Sequence, residues 1–283
     1  PEEVEDTGIV YWSRFYRLRP GAERPHQEGP VAGDLGYLKF AVFAGDNGTF
    51  SITLATATDD APLRRLTRPD AFQAVAASLV PIAPWVEPGL ADPLGSVHLM
   101  ARLLNRKRHF VVDGVPLAPG LHAVGDASVC TNPLYGRGCS LAMVQACLLA
   151  DAVSSVPGDP VAQAVAFDAS TMEEIDPWYT AAVAQDRRSR RVAAGRASEG
   201  EAFVASLVAE GVMPAVRTDP VVFRAFLRVL NLLDRPDRIL SDPDLVARVN
   251  AVWERRAERP PAPPLGPARD ELLARLAVLE PVA

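Results

Sequence analysis

The sequence predicts an α+β fold, and three observations carry that prediction. Residues 8–58 hold runs of alternating aromatic and β-branched side chains suited to antiparallel strands. Residues 121–150 run from a short apolar segment through Gly-Asp and a glycine-spaced loop into an apolar helix. From residue 157 the pattern is helical, with Asp-Pro pairs opening successive segments. The chain divides accordingly into a sheet region at 1–115, a strand–loop–helix device at 116–156 and a helical region at 157–283.

The elements follow in order. Residues 8–18, GIVYWSRFYRL, form a strand. Residues 37–44 and 49–58 flank Gly45-Asp46-Asn47-Gly48, a hairpin turn with Asn-Gly at its centre. In the second arm Phe50, Ile52 and Leu54 alternate with Ser51, Thr53 and Ala55, which sets one apolar row on one face. Residues 70–79 form a short helix that ends near Pro81 and Pro84. Residues 99–112 return as strand, crossed by the basic patch Asn105-Arg106-Lys107-Arg108. Residues 160–191 are helical; their acidic stretch Glu173-Glu174-Ile175-Asp176 and charged run from Asp186 to Arg191 read as solvated helix faces. Asp219-Pro220 opens a helix through 233, and Ser241-Asp242-Pro243 repeats the device before 245–256. The proline-rich linker 259–264 is extended, and 268–279 closes the chain as an amphipathic helix.

Composition limits the function classes. Hydrophobic residues make up 48% and charged residues 23% of 283 positions, which is enough to build a core. A net charge of −6 argues against nucleic acid as the main partner. No apolar run reaches the ~18 residues of a membrane span. The three cysteines, Cys130, Cys139 and Cys147, have neither the pairing nor the spacing of a disulfide framework or zinc site, and fit reduced thiols in a cytoplasmic protein. His26, His98, His109 and His122 are scattered; no metal site and no catalytic acid or base is nominated.

Residues 120–150, GLHAVGDASVCTNPLYGRGCSLAMVQACLLA, hold most of the chemical information. Small residues at Gly125 and Ala127 let a ligand approach the backbone, and Asp126 offers a carboxylate to hydroxyl groups. Gly136 and Gly138 let the loop lie against a flat ring and turn into a helix. The amides near Gly138, Cys139 and Ser140 lack intrahelical partners and sit at the positive end of the helix dipole, where negative charge is favoured. A lone Gly-Asp pair is usually only a turn; the whole run with Pro133, Gly136 and Gly138 is a far more specific signal.

This run resembles the second flavin-binding motif of the FAD-dependent oxidoreductases built like para-hydroxybenzoate hydroxylase and geranylgeranyl reductase, a pattern near G-D-A-x(5)-P-x-x-G-x-G. The resemblance implies an α/β flavoprotein architecture in which Asp126 meets the ribityl chain, and Pro133, Gly136, Gly138, Cys139 and Ser140 border the isoalloxazine. It also implies a monooxygenase or double-bond reductase acting on an apolar or aromatic small molecule, with NAD(P)H as a reductant. The sheet region would then cover the flavin and line the substrate pocket, with Tyr11, Trp12, Phe15, Tyr37, Phe40 and Phe50 as candidates. Val129 and Ser140 replace the histidine and asparagine that aromatic-hydroxylating relatives often carry, and Asn132-Pro133-Leu134 is closer to the reductase and oxidase branches.

The family's opening G-x-G-x-x-G is absent, and Asp113-Gly114 is followed by Val115-Pro116 rather than Arg-Ser. The expectation is the C-terminal part of a longer enzyme whose N-terminal FAD-binding half is missing. The alternative is a flavin-less ligand-binding or scaffold protein that keeps the fold.

Overall fold

The computed structural model describes residues 1–27, 29–261 and 263–279; of the expected linker, Ala262 lies outside the described residues. The strands are β1 (Glu2–Asp6), β2 (Ile9–Leu18), β3 (Ala32–Asp34), β4 (Lys39–Ala44), β5 (Thr49–Ala57), β6 (Ala91–Met100), β7 (Leu104–Arg108), β8 (Val111–Val112), β9 (Val115–Pro116) and β10 (Val129–Cys130). The helices are α1 (Pro69–Ser78), α2 (Gly138–Ser155), α3 (Pro160–Glu174), α4 (Asp176–Ala193), α5 (Glu199–Ser206), α6 (Met213–Thr218), α7 (Pro220–Leu230), α8 (Arg238–Ser241), α9 (Pro243–Glu254) and α10 (Arg269–Val278). A π-helical turn, Leu207–Val212, joins α5 to α6. The fold is α+β, with antiparallel strands throughout the paired sheets.

The chain forms two compact units. One holds Pro1–Thr7 and Leu104–Pro260; the other holds Gly8–Leu103 with the described residues beyond Pro260. This grouping is discontinuous, whereas the sequence pattern alone divides the chain at 115 and 156.

In the unit built on residues 8–103, the sheet order is β3-β4-β5-β2-β6. Asn47 and Gly48 take φ of 53° and 67° at the β4–β5 turn, the left-handed conformation that Asn-Gly reaches readily. Strand alternation sends Trp12, Tyr16, Phe40, Phe50, Ile52 and Leu54 into the core, where α1 adds Phe72 and Val75 and α10 adds Leu272 and Leu276. Phe50 stacks on Tyr16 at 5.2 Å and meets Trp85 edge-on at 5.0 Å. Each such side chain contributes about 1.5–3 kcal/mol by leaving water. Of the expected pocket residues, Trp12, Phe40 and Phe50 therefore belong to the core, and Tyr37 donates its hydroxyl to the Pro267 carbonyl at 2.8 Å. Tyr11 and Phe15 point to the opposite face, where Ser13 and Thr53 share a 2.7 Å hydrogen bond.

The expected strand at 99–112 is the end of β6, then β7 and β8, divided between the two units. It breaks at Arg102, which takes a left-handed φ of 58°, and β6 begins as early as Ala91. In the other unit the basic patch on β7 faces acidic β1 in antiparallel register, Glu2 opposite Arg108 and Glu3 opposite Lys107. Lys107 is nearly buried and bridges Glu3, at 3.1 Å, and Asp176. The expected helix 160–191 is interrupted at Ile175, so α3 and α4 pack as separate helices. Asp219 and Asp242 accept from the first-turn amides of α7 and α9, as the Asp-Pro pairs predict, and Asp159 does the same for α3.

Glu5 of β1 receives Arg187 and Arg190 from α4 at 2.8 and 2.9 Å. Those hydrogen bonds, Arg187 first, outweigh burial and hold the Glu5 carboxyl at about 2 against an ordinary 4.5. A depressed carboxyl contributes stability that is complete above pH 4.5 and drains as pH falls toward 2. Glu5→Gln is expected to lower the thermal midpoint at neutral pH and to flatten its acid-side decline. A parent-like decline in the variant's melting curves would place the acid sensitivity elsewhere.

Candidate functional site

Residues 121–124 were expected as a strand but join no ladder. β7, whose sheet lies nearest in sequence, already has β1 on one side and β10 on the other, and the run pairs with no described strand. The run is nonetheless extended at Val124, with φ −129° and ψ 158°, and leads into a tight turn at Gly125–Ala127.

Two residues from distant elements hold that turn. Gln145, buried inside α2, accepts the Gly125 amide at 2.8 Å and donates to the Ser128 hydroxyl at 3.0 Å. Arg108 of β7 donates to the Asp126 and Ala127 carbonyls at 3.2 and 2.9 Å. Gly125 has φ +60°, and a Cβ there would stand 3.1 Å from Ala142 Cβ, so conformation and space both require glycine. Asp126 is exposed, and its carboxylate takes no hydrogen bond from a described residue.

Past β10, the Asn132 side chain caps the turn Pro133–Tyr135 by accepting from Leu134 N at 3.0 Å. Gly136 follows in the left-handed region at φ 65° and redirects the chain into α2. The helix starts with no side-chain cap at Arg137, and its first amide-to-carbonyl bond is Leu141 to Arg137 at 2.9 Å. The amides of Gly138, Cys139 and Ser140 are thus unpartnered within the helix, on exposed residues at its positive end. A Cβ on Gly138 would meet no described atom within 4 Å.

Behind the loop lies a buried polar cluster. Asp186, on α4 and only 4% exposed, accepts from Asn105 Nδ2 at 2.7 Å, Asn132 Nδ2 at 2.9 Å and Tyr135 Oη at 2.5 Å. The Asn132 amide donates to Asn105 Oδ1 at 2.8 Å. Burial and the neighbouring Asp186 carboxylate push the Tyr135 phenol up, which keeps it a donor. Asp186 is therefore not on a solvated face, contrary to the sequence expectation; the arginines after it are what face out. Arg137 stacks on the rings of Trp178, at 4.8 Å, and Tyr135, at 5.7 Å, and burial lowers its pKa.

The histidines stay apart: His109 pairs with Glu3 at 2.9 Å, His122 meets Phe167 edge-on, and His98 meets Phe15. Among the described residues no group of three His, Cys, Asp or Glu side chains is placed to hold a metal. Among the described residues α2 alone is long and apolar enough, by length and composition, to cross a bilayer, with 18 residues and mean hydropathy 1.3; length and composition by themselves do not make it a span. Its buried Gln145, bonded to the turn at 125–128, ties it to the loop before it.

No protein-family model matches the chain, and no curated protein sequence does. Solved structures do. A flavoprotein/dehydrogenase from Cytophaga hutchinsonii superposes with a TM-score of 0.55 at 14% identity, over 91% of this chain and 56% of that one. The chain shares the fold of that part of the structure. Flavin-dependent brominase Bmp2 matches at TM-score 0.48 and 15% identity, over 91% and 58%, and Klebsiella pneumoniae HpxO with FAD and uric acid at 0.45 and 12%, over 89% and 55%. The chain thus spans little more than half the length of these structures.

Within this fold, sequence reasoning missed Gln145, Arg108, Asn105 and Asp186. A single glutamine inside the otherwise apolar stretch Leu141 to Leu149 was the readable signal for the first. Nothing local marks Asn105 or Asp186, which meet across 81 residues of sequence.

Proposed function

We propose that this chain carries the second flavin-binding motif of an FAD-dependent oxidoreductase, a monooxygenase or double-bond reductase acting on an apolar or aromatic small molecule in the cytoplasm. The observation that carries the reading is the α2 start: uncapped, exposed amides at 138–140, reached through a left-handed Gly136, with open space in front of Gly138. A flat ring with negative charge at one edge fits that combination of exposed amides, left-handed glycine and open space. Bound FAD would supply the electron transfer, with NAD(P)H as its reductant. Asp126 would accept from the ribityl hydroxyls, the amides of Gly138, Cys139 and Ser140 would hold the ring's negative edge, and Pro133 would border it.

The sheet face opposite the core would offer an apolar or aromatic substrate Phe15 and Phe43, with Tyr11 and Ala55 buried beside them. Phe15, Ser51 and Phe43 form one row across β2, β5 and β4; Tyr11, Ala55 and Lys39 form another. Phe15 and Phe43 are exposed by about half their surface, at 46% and 58%. FAD's pyrophosphate needs a glycine-rich strand–helix turn that the sequence does not contain, so the reading is tested on the full-length protein. Its visible spectrum should show bound flavin, and Asp126→Ala should weaken FAD binding about tenfold or more, the loss of a charge-assisted hydrogen bond of about 1.5–3 kcal/mol. A folded full-length protein without flavin would favour the flavin-less ligand-binding alternative.

α2 makes a second expectation. Cys139, Met143, Ala146, Cys147, Ala150 and Val153 form an exposed stripe at helical spacing, with Met143 69% exposed. Apolar stripes of this kind drive association. The 283-residue chain should self-associate with rising concentration in light scattering, and Met143→Glu should return it toward monomer; a parent that stays monomeric would show that the stripe is inert.

A further inference from the structure

We propose that Asp186 is the positioning residue of the cofactor loop: its carboxylate gathers Asn105, Asn132 and Tyr135 and so sets where the backbone from 132 to 138 stands. The role of that loop rests on the flavin reading above; the positioning itself does not.

The geometry is that of a single acceptor serving three donors. Two side-chain amides and one phenol converge on the two carboxylate oxygens at 2.5–2.9 Å, and Asp186, Asn105 and Asn132 are all at most 4% exposed. An ionised carboxylate is an acceptor only, with room for about four hydrogen bonds, so it satisfies all three donors at once. An asparagine in its place would turn an NH2 group toward at least one of them. No described Lys, Arg or His forms an ion pair with Asp186, so neutral dipoles carry the charge. The other ends of the same groups reach the loop backbone: Asn105 Oδ1 receives the Asn132 amide at 2.8 Å and Asn132 Oδ1 receives the Leu134 amide at 3.0 Å. Moving the carboxylate therefore moves the loop. The loop ends one residue before α2, at Arg137, whose guanidinium packs on Tyr135 and Trp178. The direction of the helix start is thus tied to α4.

The test has two arms. In the 283-residue chain, hydrogen exchange is followed for Asp186→Asn, Tyr135→Phe and Arg187→Ala, the last altering a neighbouring surface ion pair on the same helix. Asp186→Asn should speed exchange of the Asn132 and Leu134 amides at least tenfold and leave Ile52 in the other unit unchanged. Tyr135→Phe, which removes one donor and leaves no donor unpaired, should do so more weakly, and it keeps the test alive if Asp186→Asn fails to fold. Arg187→Ala should leave both amides as they are. Unchanged exchange at 132 and 134, or faster exchange throughout the chain, overturns the proposal.

In the flavin-loaded full-length protein, Asp186→Asn should weaken FAD binding at least tenfold or shift the flavin midpoint potential, with Arg187→Ala as parent-like control. If the full-length parent binds no FAD, the flavin reading fails and the exchange arm alone decides the positioning. If FAD binds and Asp186→Asn frees the loop without changing affinity or potential, the proposal is overturned while the flavin reading stands.

Discussion

Gly138→Val is expected to abolish FAD retention in the full-length protein, and Gly138→Ala to weaken it about tenfold, or about 1.4 kcal/mol. The force of this pair lies in what the protein itself would feel, which is almost nothing. A Cβ at 138 meets no described atom within 4 Å, and the residue is not in the left-handed region. Alanine is also a better helix former than glycine, by up to about 1 kcal/mol. Both variants should therefore fold as the parent does, and lost flavin reports a clash with the flavin. Any flavin that the valine variant keeps should show a lower midpoint potential, because misplaced amides hold negative charge less well. Cys139→Ala should change neither occupancy nor potential, since the donors there are backbone groups. Titration with FAD and a measured potential for each variant settle it. Full occupancy at the parent potential in Gly138→Val, or loss of activity in Cys139→Ala, would reject the loop as a flavin cradle.

Gln145→Leu is expected to cost about 2–5 kcal/mol of stability and most of the FAD affinity. The side chain is 1% exposed and spends both ends on the turn that presents Asp126. Leucine keeps the volume but leaves the Gly125 amide and the Ser128 hydroxyl without those partners, at about 1–3 kcal/mol each. Gln145→Glu should be milder: its carboxylate still accepts the Gly125 amide, and the serine hydroxyl can donate where it formerly accepted. Chemical denaturation and FAD titration give the two readouts. A leucine variant as stable as the parent would show that Arg108 holds the turn alone.

Much of this was legible in the sequence. Alternation at 50–55 and Asn47-Gly48 specify a hairpin locally, and Asp219-Pro220 and Asp242-Pro243 specify helix starts locally, so these elements were readable. Gly136 and Gly138 were readable for the same reason. What escaped depends on residues far apart in sequence. The run 121–124 has strand character, but a strand is a statement about a neighbour, and none is among the described residues. Asp186 opens a run of arginines and looks solvated until Asn105 and Asn132 close over it. Trp12 and Tyr11 are equally aromatic and both buried; only alternation along β2 decides that Trp12 joins the cluster with Phe50 and Phe72.

The pairing of β1 with β7 has a consequence for synthesis. Glu2–Asp6 leaves the ribosome about a hundred residues before β7 and 182 residues before Arg187, its partner through Glu5. At roughly 5–20 residues per second, the strand waits some seconds for the β7 edge it pairs with. An apolar strand in that position would recruit the edges of other nascent chains. Glu-Glu-Val-Glu-Asp instead repels its own kind and has little β-propensity. Only an arriving edge bearing Arg106, Lys107 and Arg108 can neutralise it, so the same charges that join the ladder at the end guard it at the beginning.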